Sequence, residues 1–374
     1  MANTLTALTP TLFSAVQEVS NEPFGVVSAI NMSFDDKMVA KGDTVTVPIA
    51  PTRSASDFTP AATSSAGTDA TATSVGVTIS KSRKVDWHLT GEQLRSLENA
   101  ESDREWVRQL VAQGMRTLRN EAEADAAVAI KQGASRATGT AGTTPFASTL
   151  DVLVDARRIL ADNGAPMADL QVCMDTAAGA NLRKLGVLQN VYQAGSDDER
   201  RTGNLQRQFG FQLRESAGVT THTIGSGASY LLNGALAVGA TSVVVDTGSG
   251  TILAGDIVTF AGTSHKYVVN TALSGGTFVI GRPGARAAEA DNDAVTVGGA
   301  YTANLAFERN AVVGIMRPPV MPPNPLHQVQ LISDRMGMTY MLVQIAQYGM
   351  VTWELHLAWG FKVVQSEHVA IILG

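Results

Sequence analysis

One segment of this chain predicts a helix far longer than the usual globular helix of three or four turns. Ser102 and Glu105 form a capping box, in which each side chain satisfies an N–H group at the start of a helix. Gly133 is a typical C-terminal stop. The residues that recur at every fourth position between them are Trp106, Leu110, Gly114, Leu118, Ala122, Ala126 and Ile130. The pattern predicts one helix over 102–132, roughly 45 Å long at about 1.5 Å per residue, without the heptads of a coiled coil.

Two segments before this helix predict a long β-hairpin. Residues 44–49 and 75–80 alternate apolar and polar side chains, as strands with one buried face do. Residues 50–76 between them are mostly Ala, Ser and Thr, with no lysine and with Phe58 as the large apolar side chain. Such a segment cannot form a core, so we expect a polar tip that projects from the molecule. Residues 1–42 are expected to form an extended arm with about one helical turn.

The segments after the long helix predict an α+β fold. A helix over 149–162, a strand over 170–174 and a helix capped by Asp175 alternate as in a layered unit. The Pro-rich residues 318–325 are interpreted as a rigid exit from a strand. The strands expected in the last part of the chain cover 303–307, 311–317, 338–346, 352–358, 361–365 and 368–373.

Residues 225–299 differ in composition from the rest of the chain. They hold 14 of the 35 glycines and only eight charged side chains. Turn sequences such as Gly248-Ser249-Gly250 separate short apolar runs at the spacing of a small β-barrel or sandwich. The strands expected there cover 229–232, 242–246, 256–260, 265–271, 277–280 and 294–297.

The overall charge and the cysteine content exclude several classes of protein. The formal net charge is −6, from 28 Lys and Arg against 34 Asp and Glu, whereas dedicated DNA-binding and membrane-binding proteins are usually basic. Cys173 is the one cysteine, so no internal disulfide can form and a reducing cytosol is expected. We expect no signal peptide and no membrane span.

Three segments of the chain resemble the coat proteins of tailed bacteriophages that have the Hong Kong 97-type capsid fold. They are Gly210–Ser216, Asn304–Ala311 and Leu357–Val364, the last close to an L-x-x-G-x-K-V pattern. Glu308 departs from the histidine often found in this family. The order of the predicted elements extends the resemblance over nearly the whole chain. It is strongest to the branch with an inserted β domain, as in the short-tailed phage of Salmonella.

The resemblance implies a division of the chain into six parts. It also implies an α+β fold with an N-arm, an extended loop, a spine helix, and peripheral and axial domains, together with an inserted barrel or sandwich. The expected parts are the N-arm, 1–42; the extended loop, 43–88; the peripheral domain with the spine helix, 89–145; the first part of the axial domain, 146–224; the inserted β domain, 225–300; and the return strands of both domains, 301–374.

The function implied by the resemblance is that of a major capsid protein. Such a protein assembles with itself, as hexamers and pentamers, into an icosahedral shell that encloses double-stranded DNA without reading its sequence. The expected partners are a scaffolding protein and a portal, with no membrane. The expected location is the virion capsid, after assembly in the cytoplasm of the host bacterium. Another virion protein, such as a decoration or tail-tube subunit, is the main alternative.

Asp246 carries the one sequence motif that suggests catalysis. Asp246-Thr247-Gly248-Ser249 matches the D-T-G-[ST] signature of aspartic proteases, in which two facing aspartates activate water. A single-chain enzyme of this type needs a second such motif, and the sequence contains none. D-T-G-S is also a favoured turn between two strands. We therefore expect no enzymatic activity and no catalytic residue.

The remaining chemistry-bearing residues do not form a recognisable site. The six histidines lack the spacing of a metal site, so no metal-binding or cofactor-binding residue is expected. Arg104, Arg108, Arg116 and Arg119 on the long helix could face DNA or a scaffolding protein, but pairing with Glu105, Glu121 and Glu123 is the favoured interpretation.

Two lysines lie at the base of the predicted hairpin. Some relatives join neighbouring subunits by an isopeptide bond from a lysine of the extended loop, and here 50–76 contains no lysine. Lys81 and Lys84 are expected to be held in a strand, away from a neighbouring subunit. Contacts between subunits are therefore expected to be non-covalent.

Overall fold

The long helix is present in the computed structural model as predicted. The structure describes residues 9–20, 24–34, 38–49, 73–99, 103–189, 207–321, 327–333 and 338–374, and a few single residues between these ranges. The tip of the hairpin, the cap Ser102 and residues 322–325 of the Pro-rich segment therefore lie outside the described residues. The helices are α1 Thr9–Ser20, α2 Val26–Ala29, α3 Gly91–Asn99, α4 Asp103–Gly133, α5 Asp151–Asp162, α6 Thr176–Lys184 and α7 Gly186–Gln189.

The buried face of α4 begins at Val107. The predicted series, in which every fourth residue is apolar, begins one residue earlier at Trp106. Val107 is 7% exposed, whereas Trp106 is 45% exposed. The reason is geometric, because a step of four residues advances about 40° beyond a full turn and the row winds around the helix. The residues that form the buried face are Val107, Val111, Met115, Leu118, Ala122, Ala126 and Ile130. They pack in one core with Trp353, Leu355 and Leu357 of the sheet below.

Six strands form that sheet under α4. They are β1 Asn31–Phe34, β4 Lys81–Thr90, β16 Val312–Arg317, β17 His327–Ser333, β18 Thr339–Gln347 and β19 Met350–Val363. Their order is β1-β16-β19-β18-β17, with β4 also paired to β19. The strands expected at 352–358 and 361–365 are therefore one strand of 14 residues. The break expected at Trp359-Gly360 was wrong. Gly360 stays in the strand, and its missing side chain leaves room for the backbone of Thr78, which crosses there.

The expected loop range 43–88 contains two different structures. β2 Thr44–Ile49 and β3 Thr73–Thr78 form the predicted antiparallel hairpin, in register from Thr44↔Thr78 to Ile49↔Thr73. The following residues, 81–90, are β4 and belong to the six-stranded sheet. Its charged start, Lys81-Ser82-Arg83-Lys84, conceals the strand pattern, because those side chains are partly exposed at the edge of the core.

The expectation of an extended arm over 1–42 was wrong for its central part. α1 is a helix of 12 residues that lies against α4. Ala15, Val16 and Val19 are buried, and their spacing places them on one helical face. α2 adds a further helical turn with Val26 and Val27 buried.

A second sheet joins the rest of the chain to the glycine-rich segment. Its strands outside that segment are β5 Arg136–Gly139, β6 Leu170–Met174, β7 Phe211–Glu215, β8 Thr221–His222, β15 Tyr301–Glu308 and β20 Val369–Leu373. α5 and α6 pack on this sheet, and Asp175 caps α6 by accepting hydrogen bonds from Ala177 and Ala178 as predicted. The three segments that carry the family resemblance form β7, β15 and part of β19.

The glycine-rich segment forms a closed ring of six strands. They are β9 Tyr230–Leu232, β10 Ser242–Asp246, β11 Ile257–Phe260, β12 Lys266–Ser274, β13 Thr277–Ile280 and β14 Ala294–Val297. They pair in the order β11-β14-β9-β10-β13-β12, and β12 pairs back to β11. The ring encloses its own apolar cluster, which includes Phe260, Tyr267 and Phe278. All six predicted strands are present to within two or three residues at each end.

The closed ring leads to a prediction about residues 225–300. Because the strands pair with one another and bury their own core, the excised segment is expected to fold alone. Dispersed, assignable amide NMR resonances from the isolated fragment would be the expected result. A collapsed spectrum would mean that β12 needs its pairing with β5, through Lys266↔Ala137, to fold.

Candidate assembly surface and candidate chemical sites

The base of the hairpin is fixed to the body of the subunit. Val77 and Ile79 are fully buried in a small cluster with Val39, Ile315 and Ala358. The Ser80 N–H donates to the carbonyl of Trp359 at 3.1 Å. Beyond the base, β2 alternates exposed and half-buried residues and contains no fully buried one. Val45 and Val47 of β2 pack against that cluster with one face of the strand. The other face of the hairpin is exposed in the described part of the subunit, and it is the candidate surface for a neighbour.

Both lysines at the hairpin base are engaged in ion pairs within the subunit. The Nζ of Lys81 lies 2.9 Å from Asp125 and 3.4 Å from Glu121, and the Nζ of Lys84 lies 2.5 Å from Glu354. The hydrogen bond to Asp125 raises the pKa of Lys81, and the one to Glu354 raises the pKa of Lys84. Each amine is thus held protonated on β4, where the sequence placed it.

The arginines of α4 pair within the subunit, as the favoured interpretation predicts. Arg108 contacts both Glu105 and Glu18, and Arg116 lies 2.9 Å from Glu18. Arg119 is fully buried beneath the ring of Phe24, 3.2 Å from its centroid, and donates to the carbonyl of Val19. α1 supplies Glu18 and the Val19 carbonyl, which the sequence reasoning missed because it did not expect a helix there. The side chain of Arg104 lies outside the described residues.

The partners that the structure shows for Glu121 and Glu123 are not the arginines of α4, and that part of the expectation was wrong. Glu121 contacts Lys81 and Arg83 of β4. Glu123 is buried and accepts hydrogen bonds from the N–H groups of Val26 and Val27. A four-residue spacing shows which side chains can meet along a helix, but here partners from other elements lie closer.

Asp246 is the last residue of β10 and begins a turn. The N–H of Gly248 donates to the Asp246 carbonyl at 2.6 Å, and Thr247 has a φ of 56°. Residues 242–244 of β10 pair with β13, and Asp246 itself pairs with Leu231 of β9, so the motif belongs to the paired strands of the ring. One carboxylate oxygen of Asp246 is buried without a hydrogen-bond partner. The absence of a catalytic residue stays a prediction.

The turn interpretation of Asp246 predicts a small effect of substitution. Asp246→Asn keeps the shape of the side chain, and the free energy of unfolding is expected to change by at most about 1 kcal/mol. Urea unfolding of the purified variant measures this change. If wild-type particles contain a processed virion protein and particles made with the variant do not, a protease would instead be favoured.

Two of the described histidines are each held by one carboxylate, without the further ligands that a metal needs. His222 Nε2 lies 2.8 Å from the buried Asp256, and His356 Nε2 lies 3.0 Å from Glu354. Burial lowers the pKa of His356. Within the described ranges, no group of three His, Cys, Asp or Glu side chains could hold a metal ion. Cys173 is fully buried, and burial raises the pKa of its thiol far above the usual range. No helix in the described part of the chain is long and apolar enough to cross a membrane.

The structure is similar to solved capsid structures. One is the "Capsid structure of the Cyanophage P-SCSP1u", with 12% identity, coverage of 94% of this chain and 88% of that chain, and a TM-score of 0.51. A chain of "Mycobacterium phage Che8" has 13% identity and a TM-score of 0.47, with coverage of 89% of this chain and 85% of that chain. A chain of the bacteriophage PhiM1 mature capsid has 12% identity and a TM-score of 0.46, with coverage of 92% of this chain and 85% of that chain. No protein-family model and no curated protein matches the chain. The cyanophage structure shows that this chain has the fold of a phage capsid subunit.

Proposed function

We propose that this chain is a major capsid protein of the Hong Kong 97 type that assembles with copies of itself into an icosahedral phage shell around double-stranded DNA. The observation that carries the proposal is the fold shared with the cyanophage capsid over 94% of this chain. The hairpin supports it, since a strand pair anchored at its base and exposed on one face in its described residues suits an element that lies on an adjacent subunit. By this proposal residues 225–300 are an inserted β domain.

The partners in this proposal are those that the resemblance to tailed-phage coat proteins implies. Hexamers and pentamers of the same chain would form the shell, with a scaffolding protein and a portal acting during assembly in the host cytoplasm. DNA would be held by enclosure, and the net charge of −6 is consistent with a subunit that does not bind DNA tightly. The chain would act as a building block and not as an enzyme.

Imaging of assembled particles tests the proposed function. The protein would be expressed alone and with the neighbouring genes of its genome, and the products examined by negative-stain electron microscopy. Closed shells of uniform diameter are expected. Tubes would instead support a tail-tube subunit. A protein that stays dispersed and binds only to shells made of another protein would support a decoration protein, and either outcome would overturn the proposal.

The ion pairs at the hairpin base lead to a prediction about how the shell is held together. An isopeptide bond requires a neutral amine, and the protonated forms of Lys81 and Lys84 are stabilised by their carboxylate partners. Burial of apolar surface at about 25 cal/mol per Å² can hold subunits together without a covalent bond. Mature particles boiled in detergent are therefore expected to run as a single band near 39.2 kDa on a denaturing gel. A ladder of dimers, pentamers and hexamers would contradict this prediction.

A further inference from the structure

A cavity of about 170 Å³ lies where the ring of strands meets the rest of the subunit. β5 and β12 form one wall, in which Arg136 pairs with Tyr267 and Ala137 with Lys266. Helix α5 forms the other wall through Arg158 and Ile159. The described residues that line the cavity are Arg136, Ala137, Thr138, Gly139, Arg158, Ile159, Ser264, His265 and Lys266. Four of these can carry a positive charge, and none is acidic.

Arg136 is the deepest of these basic groups and is incompletely satisfied by the protein. The residue is only 5% exposed, and its Nε is buried without a hydrogen-bond partner. The contacts of its Nη2 are long: 3.4 Å to Asn163, 3.5 Å to the Ile159 carbonyl and 3.7 Å to Asp162. Burial lowers the pKa of this guanidinium, as expected for a cation whose lost hydration is only partly replaced. A buried guanidinium normally has several charge-assisted partners at shorter distances.

The field at the cavity is positive. Burial and the charges of Arg136, Arg286 and Arg158 lower the pKa of His265, and among its influences only Glu289 opposes them. Lys266 donates to the carbonyl of Gly139, so its charge stays at the cavity without a carboxylate partner in the described residues. Arg136, Arg158 and His265 come from a β-strand, a helix and a loop, so the basic groups approach the cavity from several directions.

The acidic groups near the cavity lie at its margin. Asp162 contacts Arg136 at 3.7 Å and its side chain is 39% exposed. Asp155 contacts Arg158 at 3.3 Å, and both side chains are largely exposed to solvent. Glu289 accepts a hydrogen bond from Thr263 on the side of the ring. Exposed pairs such as Asp155 and Arg158 are weak, so an anion in the cavity can compete for the arginine.

We propose that this cavity binds a phosphate group. A phosphate carries more than one negative charge and several acceptor oxygens, which suits basic groups that converge from three elements better than a single carboxylate does. The Ser264 and Thr138 hydroxyls supply further donors on the lining. At about 30 Å³ for each water in the liquid, the cavity has room for an oxyanion with some of its hydration. The proposal does not depend on whether the chain forms shells.

Titration of the purified full-length chain tests this site. Inorganic phosphate is added at constant ionic strength, with chloride as the balancing anion, and binding is followed by calorimetry and by the NMR resonances of the His265 ring. Arg158→Gln removes one exposed cation from the lining and is expected to weaken phosphate binding about tenfold, the effect of losing one charge-assisted contact. Arg157→Gln is the matched control, because Arg157 is the adjacent residue of α5, contacts the Phe209 carbonyl and does not line the cavity. It is expected to change binding by no more than about twofold.

A parallel titration with a short DNA duplex identifies the source of the phosphate. If Arg158→Gln weakens the binding of both inorganic phosphate and the duplex, the cavity binds a phosphodiester of the nucleic acid backbone. If it weakens only the binding of inorganic phosphate, the cavity binds a free phosphate. Both outcomes support the site. No phosphate binding above the chloride background, no change of the His265 resonances, or equal losses in the two variants would overturn the proposal.

Discussion

Replacing Glu123 by alanine is expected to lower the free energy of unfolding by about 3–5 kcal/mol, the loss typical of removing one partner of a buried charged network. Glu123 is 4% exposed, and its carboxylate accepts from the N–H groups of Val26 at 2.6 Å and Val27 at 2.9 Å. It also accepts from the hydroxyl of Ser216 at 2.7 Å. The alanine variant leaves these three buried donors without an acceptor. Urea unfolding of the soluble subunit gives the measurement.

The arrangement around Glu123 explains why its removal should have so large an effect. The residue before α2 is Gly25, which has no side chain to cap the helix, so a carboxylate from α4 takes that role over 97 residues of sequence. Ser216 follows β7 directly and brings a third segment to the same carboxylate. A Cβ on Gly25 would lie 2.4 Å from the Glu215 carbonyl oxygen, so these segments are also in close contact. Loss of the carboxylate therefore loosens the N-terminal segment, α4 and β7 together.

Glu121 provides the matched control for Glu123. It lies two residues earlier on the same helix, but its carboxylate faces Lys81 and Arg83 at the surface. Glu121→Ala is expected to cost no more than about 1 kcal/mol, since exposed ion pairs contribute little. Glu123→Gln keeps one acceptor oxygen and should fall between the two alanine variants. Equal losses for Glu121→Ala and Glu123→Ala would show that α2 does not depend on this carboxylate.

The sequence predicts those elements whose pattern is local. The series along α4, the hairpin strands, the Asp175 cap and the six strands of the ring all depend on spacings of a few residues, and each is present in the structure. Helix α1 was missed because it has no acidic residue in its first turn and no basic residue in its last turn to mark its ends, although Ala15, Val16 and Val19 share one face. A strand was expected at Lys81 and Lys84, but the bounds of β4 were missed because its charged start resembles a surface loop.

Most contacts at the candidate sites, in contrast, could not be predicted from the sequence. Glu123 has the right spacing to pair with Arg119 on the same helix, yet it bonds to backbone groups of a segment 97 residues away. The phosphate cavity combines Arg136, Arg158 and His265 from three elements, and no short motif contains them. Contacts of this kind depend on how the elements pack, and a single sequence carries no local signal for them. Two expectations could be made from position alone: that Lys81 and Lys84 are held by a strand, and that Arg108 pairs with Glu105 one turn away.

Gly360→Ala is expected to detach the base of the hairpin and to prevent shell formation. A Cβ on Gly360 would lie 2.1 Å from the carbonyl oxygen of Thr78, 2.9 Å from its carbonyl carbon and 3.0 Å from the Cα of Ile79. All three are backbone atoms, so no side-chain rotation can relieve the clash, and either β3 or β19 must move. Overpacking of this kind costs about 1–3 kcal/mol, and the upper end is expected here because both chains are tied into sheets.

The effect of Gly360→Ala can be located within the subunit. The Ser80 N–H donates to the Trp359 carbonyl beside the clash, so its hydrogen exchange is expected to accelerate in the variant. Gly186→Ala is the control, because a Cβ there meets no atom within 4 Å and the glycine starts a helix, where alanine is favoured. That variant should keep wild-type stability and form wild-type shells. If Gly360→Ala also forms normal shells while Ser80 has lost its protection, assembly does not need a fixed hairpin base. The role assigned to the hairpin under the proposed function would then be wrong, whereas the fold of the subunit would stand.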